Sequence, residues 1–294
     1  MATRPVFIPQ SSNEQPTVRT VSVSFAWHPG LAPARKRLNV AALHAAIHAT
    51  LPELRRPLEA SSKSQVPLGV SLSAFNLSVA SPRSSGVACV ESLYQASKVF
   101  AAGGPYPQLY TRPAREVRQA LKRHAEQPLV AFELHGVRWP LEPPRAFYCW
   151  VYCQALHRNP RLAAALDAYD CFTDIEFNPA RSVNCQAYAV ALYAALARGG
   201  RLAQALAAPA AFLALFGDRP AAGTPKSPVM PLAAAPAVTA VPLPSRPVQV
   251  KARPARARKG RKRTSVVGQA PTTGPVELPL LESIYPAAEE PEST

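Results

Sequence analysis

A predominantly helical α+β domain followed by an unstructured tail is the fold class this sequence predicts, on three observations. Most segments before residue 216 place their apolar residues at helical spacing. A few short stretches alternate instead, as Val21, Val23, Phe25 and Trp27 do around Ser22, Ser24 and Ala26, which is the period of a half-buried strand. From residue 217 onward proline crowds the chain and aromatics are scarce, a composition that cannot bury enough apolar surface to offset the entropy of ordering. The expected organisation is a disordered N-terminus over residues 1–17, one folded domain over 18–216 and a disordered tail over 217–294. About two hundred folded residues suffice for one well-buried core.

Each element follows in order. His28-Pro29-Gly30 breaks the first strand. Asn39 to Leu51 reads as a helix with Val40, Leu43 and Ile47 on one side, ended before Pro52. Leu68 to Val79 reads as a second strand with Val70 and Leu72 on one face, and Asn76 marks a loop at its end. Val90 to Phe100 reads as a helix stopped by Gly103-Gly104-Pro105, and Thr111 and Pro113 open another that runs to about Ala125. Val130, Phe132 and Leu134, then Val137 and Trp139, bracket His135-Gly136 as a hairpin. Ala146 to His157 is an aromatic-rich helix closed by Asn159-Pro160, and Leu162 to Tyr169 continues as a short one. Asp170 to Pro179 is a loop with strand character from Thr173 to Phe177. Ser182 is expected to cap a long alanine-rich helix that stops at Gly199-Gly200, and a last helix spans about Leu202 to Phe216. No internal repeat is visible.

The chain carries 33 Lys and Arg against 18 Asp and Glu, a net charge of +15, of which residues 1–216 contribute +10. Such an excess favours anionic partners, nucleic acid first, although alanine- and arginine-rich chains are also basic through composition alone. The run from Lys251 to Arg263 is sharper. It places eight positive charges in thirteen residues, among them Arg256, Arg258, Lys259, Arg261, Lys262 and Arg263. A flexible arm of this kind binds polyanions without sequence preference. Arg115, Arg118 and Lys122 fall at i, i+3 and i+7, a stripe that either follows a nucleic-acid backbone or simply faces water. Five cysteines at irregular spacing point to a reducing compartment rather than a disulfide framework. The polar, proline-bearing start lacks the apolar core of a signal peptide, and no apolar run approaches the roughly 20 residues of a membrane span. A cytoplasmic protein that does not engage membranes is expected.

Several motifs suggest less than they first offer. His44 and His48 sit four apart, but Ala-Ala-Ile lies between them, so the general-base Glu of a zinc-protease helix is absent and no third ligand is near. Cys149 and Cys153 share that spacing without a second pair and read as small buried hydrophobes. No metal site and no cofactor are expected. Gly103-Gly104-Pro105-Tyr106 is too short for a phosphate-loop fingerprint, and either offers N–H groups to a phosphate or is a plain turn. Within the helix expected from Val90 to Phe100, Glu91, Gln95 and Lys98 share one face over about 10 Å of axis. Periodicity alone makes that seam the wet side of an amphipathic helix.

The segment Val90-Glu91-Ser92-Leu93-Tyr94-Gln95-Ala96-Ser97-Lys98-Val99-Phe100 resembles the signature helix of the NADAR family. Other blocks resemble the branch of that family encoded beside DarT toxins: Trp27 to Gly30, Ser61 to Ser64, Leu68 to Leu77, Gly103 to Tyr106, Trp139 to Pro143, and Phe172 to Pro179 running into Ser182 to Ala187. The resemblance covers about residues 18–216. It implies a YbiA-like, mostly helical α+β fold and hydrolysis of ADP-ribose from guanine in single-stranded DNA, with a DarT-type toxin as genetic partner.

On that resemblance Glu91 and Lys98 face the substrate. Lys98 attacks or polarises the anomeric carbon, through a Schiff base or by direct hydrolysis, while Glu91 shuttles protons. A nucleophilic lysine requires a lowered pKa, which partial burial supplies. Asn76, Asp174, Glu176 and Asn178 either contact ribose hydroxyls or cap loops, Ser62, Lys63 and Ser64 would neutralise the diphosphate, and Tyr94 and Trp139 either stack a base or pack in the core. Gln95, Gly103 and Gly104 complete the expected binding residues. Tyr94 replaces the Phe expected of many relatives and keeps the ring. Two other readings compete: an N-glycosidase acting on intermediates of riboflavin synthesis, and a non-catalytic nucleic-acid binder that uses the 251–263 arm.

Overall fold

Val6, Phe7 and Ile8 are buried near the very start of the chain, where the composition predicts disorder. They belong to β1 (Ala2–Gln10), which pairs antiparallel with β2 (Thr17–Phe25) from Ala2↔Phe25 to Gln10↔Thr17. The expected disorder of residues 1–17 is therefore corrected for Ala2–Gln10. Pro5 and Pro9 make that segment look broken, yet proline is tolerated in a strand where no ladder bond is needed, and the other edge of β1 is paired only at Phe7. The structure, a computed structural model, describes residues 1–11, 17–80, 86–124 and 126–216. The tail and its basic arm at 251–263 lie outside the described residues.

Among the described residues, seven shorter strands follow this hairpin: β3 (Pro57–Glu59), β4 (Ser78–Ala80), β5 (Val87–Cys89), β6 (Lys98–Phe100), β7 (Leu129–Leu134), β8 (Val137–Trp139) and β9 (Cys171–Thr173). Phe7 pairs with Phe172 of β9, which extends the hairpin into a four-stranded sheet of order β2-β1-β9-β3. Within it β3 and β9 run parallel, with Glu59 opposite Thr173. Helix α1 (Pro33–Thr50) packs Val40, Leu43 and Ile47 against Val6, Ile8, Val23, Phe25, Cys171 and Ile175.

The larger core forms around α5 (Ala146–His157) and α7 (Gln186–Arg198). Every residue of α5 from Ala146 to Leu156 is buried, Cys149 and Cys153 included, as their apolar reading requires. Around this pair sit α2 (Pro67–Ser71), α3 (Val90–Ala96), α4 (Ala114–Leu121), α6 (Pro160–Ala165), α8 (Leu202–Leu206) and α9 (Pro209–Ala214). The β7–β8 hairpin forms as predicted, with His135 and Gly136 both at positive φ (53° and 83°), the backbone that a two-residue turn between right-twisted strands needs.

Several elements differ from expectation for local reasons. Leu68 to Val79 is not one strand: Pro67 starts the short helix α2, a position where its fixed φ favours the helix, and only Ser78–Ala80 is extended. The predicted helix Val90 to Phe100 ends at Ala96, because Lys98-Val99-Phe100 pairs with β7 as an edge strand. Strand character near residue 173 falls on Cys171–Thr173, which leaves Asp174 and Glu176 in a loop. Helix α7 starts after Cys185, and Ser182 donates to Asn184 O instead of capping it. The last helix divides before Pro209. Among the described residues no helix is long and apolar enough to cross a membrane.

Candidate active site

Glu91 enters the site from the first turn of α3. Its own N–H donates to Ala74 O at 2.9 Å, and Cys89 closes the turn by accepting from Ser92 N at 3.5 Å. The Glu91 side chain is only 14% exposed. Its Oε1 accepts Gln95 Nε2 at 3.1 Å and lies 3.8 Å from Arg118 Nε on α4. Glu91 and Gln95 thus share a helix face as predicted, but Lys98 does not. It opens β6, opposite Phe132, after the chain has left the helix. Glu133 N donates to Ser97 O at 2.7 Å and fixes that departure.

Lys98 still comes close to Tyr94 and feels the charge of Glu91. Its Nζ stands 5.4 Å from the centre of the Tyr94 ring, a cation–π distance. Burial lowers the lysine pKa, and the Glu91 charge opposes that shift without cancelling it. Behind the lysine, Gly104 packs so closely that an added Cβ would lie 2.4 Å from Lys98 O, and its φ of 114° is one that side chains rarely adopt.

An aromatic wall backs the pair. The Tyr94 ring lies 5.3 Å from Phe132 and 5.2 Å from Tyr148, edge-on to the latter. Asn184 Nδ2 donates to Tyr94 OH at 2.7 Å. Burial raises the Tyr94 hydroxyl to about 12, with Glu91 adding to the shift. Tyr148 is pushed up by burial first, then by the charges of Tyr152, Glu91, Cys185 and Asp174. It therefore senses both Glu91 and the acidic loop.

That loop follows β9. Asp174 is buried and accepts Glu176 N at 3.1 Å, and burial raises its pKa. Beneath it lies Glu59, a residue that sequence reasoning missed. Glu59 accepts Ser61 Oγ at 2.5 Å, Ile175 N at 2.9 Å and Thr173 Oγ1 at 2.7 Å. Thr173 Oγ1 also lies 3.0 Å from His44 Nε2, a hydrogen bond whose direction follows the imidazole tautomer. Burial lowers His44 to about 4, which keeps the ring neutral. On the solvent side Glu176 pairs with Lys36 at 2.9 Å, and both Lys36 and Arg4 lie over the Trp27 ring, at 5.8 and 5.2 Å.

The model of the DarT1-associated NADAR antitoxins matches residues 2–225, taking in every element described above. The chain belongs to this family. A comparison with curated proteins finds no match.

In this NADAR domain the remaining expected site residues divide. Trp139 is only 1% exposed and packs on Phe147 and Trp150, so it is a core residue and not a surface for stacking a base. Ser64 is buried, accepts Val66 N at 3.2 Å, and sits where a Cβ on Gly69 would collide with it. Ser62 is exposed and accepts Lys63 Nζ at 3.1 Å, so these two remain on the surface. Asn76 donates to Val70 O at 2.8 Å and Asn178 accepts Ala180 N at 3.0 Å, the loop-capping alternative in both cases. Gly103 bridges to Phe100 as part of the turn that seats Gly104. Arg115 and Lys122 are exposed along α4 and its end, while Arg118 reaches Glu91.

Proposed function

We propose that this antitoxin removes ADP-ribose from guanine bases of single-stranded DNA, reversing the modification made by a DarT-type toxin in the cytoplasm. The observation that carries the reading is Lys98, its Nζ held 5.4 Å from the Tyr94 ring centre and within the field of the half-buried Glu91 side chain, with its pKa lowered by burial. Family membership supports the antitoxin role.

The chemistry follows from those two groups. The ring-opened sugar is an imine between its C1 and the exocyclic guanine nitrogen. Neutral Lys98 Nζ adds to that carbon. Glu91 passes a proton to the guanine nitrogen, the C–N bond to guanine breaks, and the lysine is left joined to C1 as an imine. Water then adds to C1 and the C–Nζ bond breaks, which returns free ADP-ribose and the amine. Asp174 and Glu176 are placed in this reading as partners of ribose hydroxyls.

The test is release of ADP-ribose from an oligonucleotide carrying ADP-ribosyl-guanine. The wild-type chain should release it, and Lys98→Ala should reduce the rate at least 100-fold without unfolding the protein. Borohydride should trap a covalent adduct on the wild type alone. Full turnover by Lys98→Ala sinks the assignment, as does a preference for an amine-linked ribose phosphate of the riboflavin type.

A further inference from the structure

Phe75 is 46% exposed, whereas Ala74 and Leu77 in the same turn are buried. The turn is well fixed. Leu77 N donates to Ser73 O at 2.7 Å, Asn76 N donates to the same oxygen at 2.8 Å, and Ala74 O receives the Glu91 N–H at 2.9 Å. The exposed ring is thus held one residue from the anchor of the site's own carboxylate. Arg118 covers it, with its guanidinium carbon 5.1 Å from the ring centre, while the Nε of the same side chain lies 3.8 Å from Glu91 Oε1.

Arg118 belongs to a row. Ala114, Val117 and Leu121 turn into the core, and Arg115, Arg118 and, just after the helix, Lys122, each one residue and so about 100° further round, are exposed. Glu116 is the one acid within α4, and Arg112 precedes the helix, also exposed. The cations spread over about 10 Å of helix axis. An exposed aromatic face joined to a guanidinium and continued by a line of positive charge matches a single strand of nucleic acid, whose bases stack while its phosphates follow the cations. An acidic peptide would use the charges and leave the ring without a role.

We propose that Phe75 and Arg118 bind the nucleobase adjacent to the modified guanine, and that Arg115 and Lys122 bind phosphates of the same strand. The inference rests on the roles proposed for Glu91 and Lys98 and adds a specificity to them: the domain acts on a polynucleotide in preference to a nucleoside.

The experiment compares kcat/KM on ADP-ribosylated guanosine with that on an ADP-ribosylated single-stranded oligonucleotide, and measures fluorescence anisotropy with an unmodified oligonucleotide. Wild type should favour the oligonucleotide at least tenfold. Phe75→Ala should shrink that preference by fivefold or more, mainly through KM, in keeping with roughly 5- to 150-fold per stacked base. Phe75→Trp should restore it, and Phe75→Leu should not, because leucine supplies apolar area without a stacking face. Arg115→Ala with Lys122→Ala should flatten the salt dependence of oligonucleotide binding by about 1.4 in log–log slope, at roughly 0.7 per phosphate on a single strand. A preference that Phe75→Ala reduces by less than fivefold, or equal rescue by Trp and Leu, overturns the proposal. If the wild type cleaves neither substrate, the reaction assigned to Lys98 fails. Anisotropy then decides this inference alone: weaker binding by Phe75→Ala supports it, and unchanged binding or tighter capture of an acidic peptide overturns it.

Discussion

Glu59 Oε1 accepts the backbone N–H of Ile175 at 2.9 Å, so a buried carboxylate at the end of β3 holds the loop that carries Asp174 and Glu176. Two hydroxyls, from Ser61 and Thr173, complete its shell. Position and charge are coupled here, since the same loop brings Asp174 close enough to act on Glu59.

Removing that carboxylate should unfold the loop from the sheet. Glu59→Ala strands the Ile175 N–H and two buried hydroxyls, and an unpaired buried donor costs about 1–3 kcal/mol. A loss of about 3 kcal/mol is expected by urea denaturation, and an unchanged midpoint would sink the assignment. Burial, the largest influence, together with the Asp174 charge pushes the Glu59 carboxyl above its usual range, against three hydrogen bonds that pull it back. The folded state therefore keeps a proton that the unfolded chain has lost above its ordinary pKa of about 4.3. Stability should be fullest below that pH and decline as pH rises toward the folded value. Glu59→Gln should flatten this slope.

Gly104 predicts a different kind of defect. A Cβ there would meet Lys98 O at 2.4 Å and Val99 Cα at 3.1 Å, both backbone atoms that cannot swing aside. Its φ of 114° adds strain for any side chain. Gly104→Ala should cost about 2–3 kcal/mol and lower ADP-ribose release beyond the loss of folded protein, because β6 must shift with Lys98 on it. Thermal denaturation and a rate measured well below the midpoint separate the two effects. Wild-type values for both would show that the turn has room.

Asn184 and Tyr94 offer a milder change. Tyr94→Phe keeps the ring contacts to Phe132 and Tyr148 but loses the 2.7 Å bond from Asn184 Nδ2. About 1 kcal/mol of stability should go, while the cation–π face under Lys98 stays, so turnover should fall less than tenfold. A loss comparable to that of Lys98→Ala would instead place the hydroxyl itself in the reaction.

How much of the fold is legible in the sequence depends on segment length. The α5 helix and the β7–β8 hairpin stand where their spacing puts them, and α7 ends where expected although it starts later than Ser182 would place it. A three-residue strand carries no usable period of its own: β8 is legible through the His135-Gly136 turn before it, whereas β3, with Glu59, has no such turn and leaves no signal. The segment holding Glu91 and Lys98 is found by resemblance, yet its spacing misplaces the lysine. Periodicity continues the helix to Phe100, whereas pairing with Phe132 pulls Lys98 into a strand. Strand pairing is a long-range fact that local spacing does not contain. Arg118 shows the same limit. Its spacing marks a basic stripe, but only the packing of α4 on α3 brings its guanidinium to Glu91 and Phe75.

The pH dependence of the reaction tests the pairing of Lys98 with Glu91. Burial lowers the lysine pKa and the Glu91 charge raises it, with burial the larger. The neutral amine required for attack therefore becomes available at a lower pH than for a free lysine, whose pKa is about 10.4. The rate of adduct formation should rise with pH and level off below that value. Replacing Glu91 by Gln removes the charge that raises the lysine pKa, so the inflection should move further toward acid even as the maximum rate falls with loss of the proton donor. Borohydride trapping in single-turnover experiments across pH 5–10 (roughly the range these pKa values span) reads both quantities. An inflection that stays put or moves alkaline in Glu91→Gln would mean that the carboxylate does not act on Lys98.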